Sequence, residues 1–242
     1  WSIIPARSGS KRIIDKNLSK ISGIELLGFS IATSLLIKKI NRTFVSTDSI
    51  LYKKIAIRYG AEAPFLRPKN LSKSNSSDNT YIKHFIKYSI KNEKFLPEFL
   101  ILLRPTTPFR KIKYIEEAIK LFKKKNNYTS LRSSELTSHP PEKLYRILEK
   151  TYVDINLNKL SNKDKSNLPS DSLKKTYKPN GVVDIIRTSR ILKSLDCFGS
   201  KIMPYITSKT LDIDDIFDLE LARLINSKEK KILLKFLNKI WN

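Results

Sequence analysis

Phe99-Leu100-Ile101-Leu102-Leu103-Arg104-Pro105-Thr106-Thr107-Pro108-Phe109-Arg110 is a continuous apolar run that stops at a polar, proline-punctuated segment. An unbroken apolar run of this length suits a strand buried on both faces of a parallel sheet, and Pro105 and Pro108 keep the polar segment extended. Two stretches upstream have the same form. Ile3-Ile4 runs into Pro5, and Thr43-Phe44-Val45 runs into Ser46-Thr47-Asp48-Ser49, whose hydroxyls and carboxylate suit both a strand end and a helix cap. Between these strands Leu26, Leu27, Phe29, Ile31, Leu35 and Leu36 recur along a segment with few breakers, the spacing of a helix laid on a sheet. A second helix is expected over residues 50–59, closed by Gly60. The extended Ala63-Pro64-Phe65-Leu66-Arg67-Pro68 follows, then a polar stretch over 72–80 read as a mobile flap, then a helix over 81–91. Strands alternating with helices predict an α/β fold with a mostly parallel sheet. In such sheets ligands bind beyond the carboxyl ends of the strands, so the polar ends at 7–11, 46–48 and 104–107 are expected along one edge.

The pattern changes from His139. Pro140 and Pro141, a polar stretch over 156–172, and apolar Leu144, Ile147, Val153 and Ile155 describe short strands on an exposed excursion, read as a subdomain inserted over 139–179. Residues 1–138 and 180–242 form the α/β core around it. Core character returns at Gly181-Val182-Val183-Asp184-Ile185-Ile186 and Ile202-Met203-Pro204-Tyr205-Ile206. A helix is expected over 217–225, and a basic helix begins at Lys228.

Composition narrows the function classes. A chain of 242 residues, 40% hydrophobic, can bury a full core. No run of about 18 apolar residues exists, so no helix spanning a membrane is expected and a cytoplasmic location is. The chain begins at Trp1, almost inside its first strand, so a short preceding piece is expected. The lone Cys197 excludes an internal disulfide, and His84 and His139 lie too far apart to form a structural zinc motif, so any metal must be held by oxygen. The net charge of +24 invites a nucleic-acid reading, but the lysines are spread along the whole chain among isoleucines and asparagines, with no stripe and no named nucleic-acid motif. No specific nucleic-acid partner is expected.

The strand ends carry the chemistry. Pro5-Ala6-Arg7-Ser8-Gly9-Ser10-Lys11 leads into Lys16-Asn17, where a small Ser-Gly-Ser turn lets backbone N–H groups approach an anion beside fixed positive charge. It lacks the spacing of the nucleoside-triphosphatase loop and of the dinucleotide fingerprint, and on its own it reads equally well as a phosphate cradle or a solvated turn. Asp212 and Asp214 lie two apart in an extended segment and share a face, where they suit one divalent cation or, alternatively, caps for the following helix.

Taken in order, Ala6-Arg7-Ser8-Gly9-Ser10-Lys11 with Lys16-Asn17, Val45-Ser46-Thr47-Asp48-Ser49, Tyr59-Gly60-Ala61-Glu62, Leu66-Arg67-Pro68, Leu103-Arg104-Pro105-Thr106-Thr107-Pro108, His139-Pro140, Leu168-Pro169, Pro179-Asn180-Gly181 and Leu211-Asp212-Ile213-Asp214 resemble the acylneuraminate cytidylyltransferases. This is the CMP-sialic acid (CMP-nonulosonic acid) synthetase family, and the resemblance covers nearly the whole chain. It implies a Rossmann-like nucleotidyltransferase fold and a homodimer joined through the subdomain over 139–179. The implied reaction takes CTP and a nonulosonic sugar acid to the CMP-sugar and pyrophosphate with Mg²⁺. By the same resemblance Arg7, Ser10, Lys11, Lys16, Asn17 and Arg67 contact CTP. Asp212 and Asp214 hold the metal and, with Lys16, carry catalysis. Arg104, Lys143, Lys165, Asn180 and Phe198 fall where the family places the sugar acid.

Three departures bear on that acid. Arg104 stands where the sialic-acid enzymes commonly have Gln, Lys165 where they have Arg, and Asp184 where they have Tyr. An Arg fork and a Gln amide recognise different groups, so the acid is left open among legionaminic, pseudaminic and other bacterial nonulosonic acids. Asp184 itself reads either as a strand-end residue facing water or as a contact. Arg12, where many relatives have glycine, has no role on this reading. The alternatives are a cytidylyltransferase for 3-deoxy-manno-octulosonate, a basic nucleic-acid-binding protein and a catalytically degenerate relative.

Overall fold

The computed structural model describes residues 1–155, 165–192 and 196–241. Strand β1 (Ser2–Pro5) leads through the basic loop to the short β2 (Lys20–Ile21) and β3 (Ile24–Glu25), then helix α1 (Leu26–Leu36), β4 (Thr43–Ser46) and α2 (Ile50–Arg58). Next come α3 (Asp78–Tyr88), β5 (Phe99–Leu102), α4 (Ile112–Lys123) and β6 (Ser130–Leu136). The hairpin β7 (Tyr145–Leu148) and β8 (Thr151–Asp154) precedes β9 (Tyr177–Arg187), α5 (Thr188–Ile191), β10 (Ile202–Ile206), α6 (Ile216–Leu224) and α7 (Lys228–Trp241).

The central sheet has six strands in the order β10-β6-β9-β5-β1-β4. β1 pairs parallel with β4 and β5, and β10 pairs parallel with β6. β9 runs antiparallel between β5 and β6. β5, read as a strand buried in a mostly parallel sheet, therefore has one parallel neighbour, β1, and one antiparallel neighbour, β9. The mostly parallel α/β architecture stands, and it leaves the carboxyl ends of β1, β4, β5 and β6 on one edge.

Alternation along each strand divides the core into two layers. Ile4, Val45, Ile101, Leu103, Leu131, Val183 and Ile185 face α1, α4, α6 and α7. Ile3, Phe44, Leu100, Leu102 and Ile186 face α3, through Tyr81, Ile82, Phe85 and Ile86. Of the elements longer than five residues among the described ones, two carried no expectation from sequence: α4, although Ile115, Ala118, Ile119 and Phe122 form a buried helical stripe, and β6, whose alternating polar residues hide its strand character. Most of the stretch read as a flap lies outside helix, but α3 already begins at Asp78, within it. The excursion over 139–179 supplies the separate two-stranded sheet of β7 and β8.

Candidate active site

The carboxyl ends of β1, β4 and β5 open onto a cleft of about 230 Å³ walled by Arg7, Ser10, Lys16, Asn17, Arg67, Asp78, Tyr81 and Arg104. Buried Asn17 fixes the basic loop by donating to the Arg7 carbonyl at 3.0 Å. Asp48, at the end of β4, clamps the same loop, accepting from the Ser8 N–H at 2.8 Å and the Ser8 hydroxyl at 2.9 Å. Part of the cradle read from the sequence is thus already closed. The N–H groups of Gly9, Ser10 and Lys11 have no acceptor among the described residues, and Gly9 takes φ of 68°, which favours glycine. Lys11 is exposed and outside the cleft wall.

Arg67 is 4% exposed. Its Nε donates to Ser46 Oγ at 3.1 Å, its Nη2 to the Ser46 carbonyl at 2.5 Å, and its guanidinium lies 5.0 Å from the Tyr81 ring centroid. Among the described residues no carboxylate lies within ion-pair distance of it. Burial pulls the guanidinium below its ordinary range. A buried cation held by neutral groups is stabilised by an anion entering the cleft.

Beside the cleft, Asp212, Ile213 and Asp214 run extended with Ile213 buried and both carboxylates exposed, so the two acids share an outward face. The Ile213 N–H donates to the Thr106 carbonyl at 2.8 Å, and Thr107 Oγ1 donates to Asp212 at 3.2 Å. Neither acid caps α6. That duty falls to Asp215, whose side chain accepts from the Asp218 N–H at 3.0 Å while Asp218 returns a bond to the Asp215 N–H. Lys16 ties the pair to the basic loop, donating to the Ile213 carbonyl at 2.7 Å and lying 3.7 Å from Asp214. Arg12 acquires a partner too, 3.8 Å from Asp214.

Two hard carboxylates open on one face fit Mg²⁺, which keeps several waters and completes its shell from substrate phosphates. No group of three or more His, Cys, Asp or Glu suited to a metal occurs among the described residues. The donor set therefore suits an ion shared with a nucleotide better than one caged by protein.

On the acceptor side Arg104 is not free. Its Nη1 donates to Asp184 at 2.6 Å and its Nη2 to Asp78 at 2.5 Å. Asp184 is 1% exposed, which rules out the reading in which it faces water. Two of the departures from the sialic-acid pattern are thus one ion pair. Asn180 turns inward, donating to Thr207 Oγ1 at 2.7 Å and to Glu135 at 3.4 Å. Phe198 is buried beneath the Arg132 guanidinium, 4.6 Å from its ring centroid. Lys143 ends a short helical turn before the β7–β8 hairpin and does not line the cleft. The Lys165 side chain lies outside the described residues.

Three residues that matter here were not read from the sequence as site elements: Asp48 as a clamp, Arg110 and Arg132. Arg110 is 1% exposed and stitches the 104–107 loop to β9, with bonds to the carbonyls of Arg104, Thr107, Gly181 and Val182 and to Ser30 Oγ. Gly181 permits this, because a side chain there would meet Thr107 Oγ1 at 2.6 Å. Burial pushes the Arg110 guanidinium down to about 9, still charged at neutral pH. An isolated arginine after Pro-Phe carries no periodic signal that would have marked it.

A family profile described as Cytidylyltransferase matches residues 1–215. An N-acylneuraminate cytidylyltransferase of Escherichia coli O18:K1:H7 is 33% identical over 100% of this chain and 55% of its own length. The chain thus spans about half the length of that relative. A pseudaminic acid cytidylyltransferase of Campylobacter jejuni serotype O:2 is 27% identical over 92% of this chain and 94% of its own. Among solved structures, a CMP:2-keto-3-deoxy-manno-octonic acid synthetase complexed with CTP superposes with a TM-score of 0.67 at 14% identity, covering 92% of this chain and 95% of that one. That likeness speaks for the fold. No helix among the described residues is long and apolar enough to cross a membrane.

Proposed function

The chain belongs to the cytidylyltransferase family, and from that premise we propose that it transfers CMP from CTP to a nonulosonic sugar acid, releasing pyrophosphate. The observation that carries the reading is Arg67: a buried arginine with no carboxylate partner among the described residues, on the wall of a cleft shared with Arg7, Lys16 and Asn17. A triphosphate supplies the anionic partner that Arg67 lacks among the described residues.

In the proposed reaction the acid's anomeric hydroxyl attacks the α-phosphorus in line and gives up its proton to water, and the bond between the α-phosphorus and the oxygen bridging to the β-phosphate breaks as pyrophosphate leaves. Such a transfer is catalysed by positioning and charge neutralisation. Arg7, Lys16 and Arg67 neutralise the phosphates, and the open N–H groups of Gly9, Ser10 and Lys11 add donors. Asn17 and Asp48 hold the loop so that these donors do not reorganise. Lys16 links the loop to the acidic pair across a sequence separation of 197 residues. Asp212 and Asp214 would hold Mg²⁺, which when bound supplies Lewis-acid polarisation and charge neutralisation at the phosphates. CTP use fits a cytoplasmic enzyme.

Purified protein supplied with CTP, Mg²⁺ and a panel of N-acetylneuraminic, legionaminic, pseudaminic and 3-deoxy-manno-octulosonic acids is expected to release pyrophosphate with at least one nonulosonic acid. Removing Mg²⁺ with a chelator is expected to stop it. Silence with every acid overturns the proposal, and turnover with the octulosonate alone moves the chain to the other branch of the chemistry.

A homodimer is part of the same proposal. β7 and β8 leave Tyr145, Ile147, Leu148 and Tyr152 exposed, and an isolated two-stranded sheet is marginal without something to cover it. A second copy of this chain supplies that cover. Sedimentation is expected to give a dimer for the native chain and a monomer for Ile147→Asp. A native chain that sediments as a monomer at micromolar concentration would refute the pairing.

A further inference from the structure

Resting on transfer to a sugar acid, we propose that Arg132 grips the carboxylate of the acceptor. The register of the sheet puts Leu102 of β5, Asp184 of β9 and Arg132 of β6 abreast, so their side chains emerge on one face. The charges then alternate along that face. Asp78 and Asp184 take the two terminal nitrogens of Arg104, and the other oxygen of Asp184 lies 3.6 Å from Arg132 Nε. Arg104, the arginine that the sequence singles out for the acid, therefore has its fork committed to protein carboxylates.

Arg132 shares Asp184 with Arg104 but keeps its terminal nitrogens uncommitted among the described residues. Among the described residues its guanidinium donates no hydrogen bond, and its Nε is buried without a hydrogen-bond partner. A third of its side chain is exposed, 33%. The guanidinium is held over Phe198, which restricts its orientation and keeps its edge available. A planar fork stacked on a ring and steadied from one side by a carboxylate is prepared for a planar, two-oxygen anion. Phosphate is already provided for: Arg7, Lys16 and Arg67 line the cleft, and Arg132 does not, lying two strand spacings, about 10 Å, from β5. Of the two substrates, the acid is the one with an anionic group left to place.

The test measures binding and turnover separately. N-acetylneuraminic, N,N'-diacetyllegionaminic and pseudaminic acids, and the carboxamide of each acid that binds, are titrated calorimetrically into the native chain, Arg132→Gln and Arg132→Lys in the presence of a non-hydrolysable CTP analogue. Arg132→Gln is expected to weaken acid binding about tenfold or more, with Arg132→Lys intermediate. Affinity for the CTP analogue should stay within about twofold, which also reports that the variants are folded. The native preference for acid over carboxamide should collapse in Arg132→Gln, an outcome that a purely structural role for Arg132 does not produce. Equal losses for acid and carboxamide, or acid binding unchanged in Arg132→Gln, overturn the assignment. Acid binding that depends on Arg132 without pyrophosphate release leaves the assignment standing and refutes the transfer reaction. A native chain that binds none of the three acids overturns both.

Discussion

Asp212→Asn and Asp214→Asn are each expected to lower the proposed CTP-dependent pyrophosphate release by about a thousandfold, the scale of losing a charge that acts on the transferring phosphates. The fold should hardly notice. Both carboxylates are exposed, and the cap of α6 belongs to Asp215 with Asp218 as its reciprocal partner. Asn at 212 still accepts from Thr107, so the extended segment keeps its anchor. Unfolding free energy is therefore expected to shift by no more than about 0.5 kcal/mol. Steady-state turnover over a Mg²⁺ titration, run beside urea denaturation, checks both halves. Turnover within about tenfold of native in either variant would remove the pair from the chemistry, since a tenfold change is only about 1.4 kcal/mol.

Arg110→Met has the opposite signature: a stability loss of about 4 kcal/mol, with activity falling as a consequence. The guanidinium is the common donor for the carbonyls of Arg104, Thr107, Gly181 and Val182, and Met leaves these buried acceptors short of donors. For a chain of this size such a loss lowers the melting temperature by about 10 °C. Arg110→Lys should recover only part of it, because an ammonium cannot span the arc of acceptors that a planar fork reaches. Whatever remains folded should turn over more slowly, since Thr107 both accepts from Arg110 through its carbonyl and donates to Asp212. Urea denaturation read by near-UV circular dichroism gives the number. A loss below about 1 kcal/mol would mean that water replaces the guanidinium and that the hub holds nothing together.

Lys16 and Arg104 show where reading from sequence succeeds and where it stops. Lys16 belongs to the basic segment that follows β1, so its place near the sheet's edge follows from the pattern and the family resemblance together, and the structure adds its reach to Ile213. Arg104 also sits at a strand end, but the partner that commits it, Asp184, is 80 residues away on a strand whose direction the pattern does not reveal. Asp215 is instructive in the same way. Three aspartates stand within four residues, and capping falls to Asp215, the last residue still extended before the helix begins at Ile216.

The amino-acid order by itself determined the alternation of strands and helices, the polar strand ends along one edge, and the outward face shared by Asp212 and Asp214. All of these rest on local periodicity, which neighbouring residues carry. Only the tertiary structure decided that β9 runs antiparallel between β5 and β6, that Arg104 is held by Asp78 and Asp184, and that Arg110 locks the loop while Arg132 keeps its fork open. These depend on strand order and on pairing between charges far apart in the chain, and no short-range pattern encodes which buried cation finds which anion.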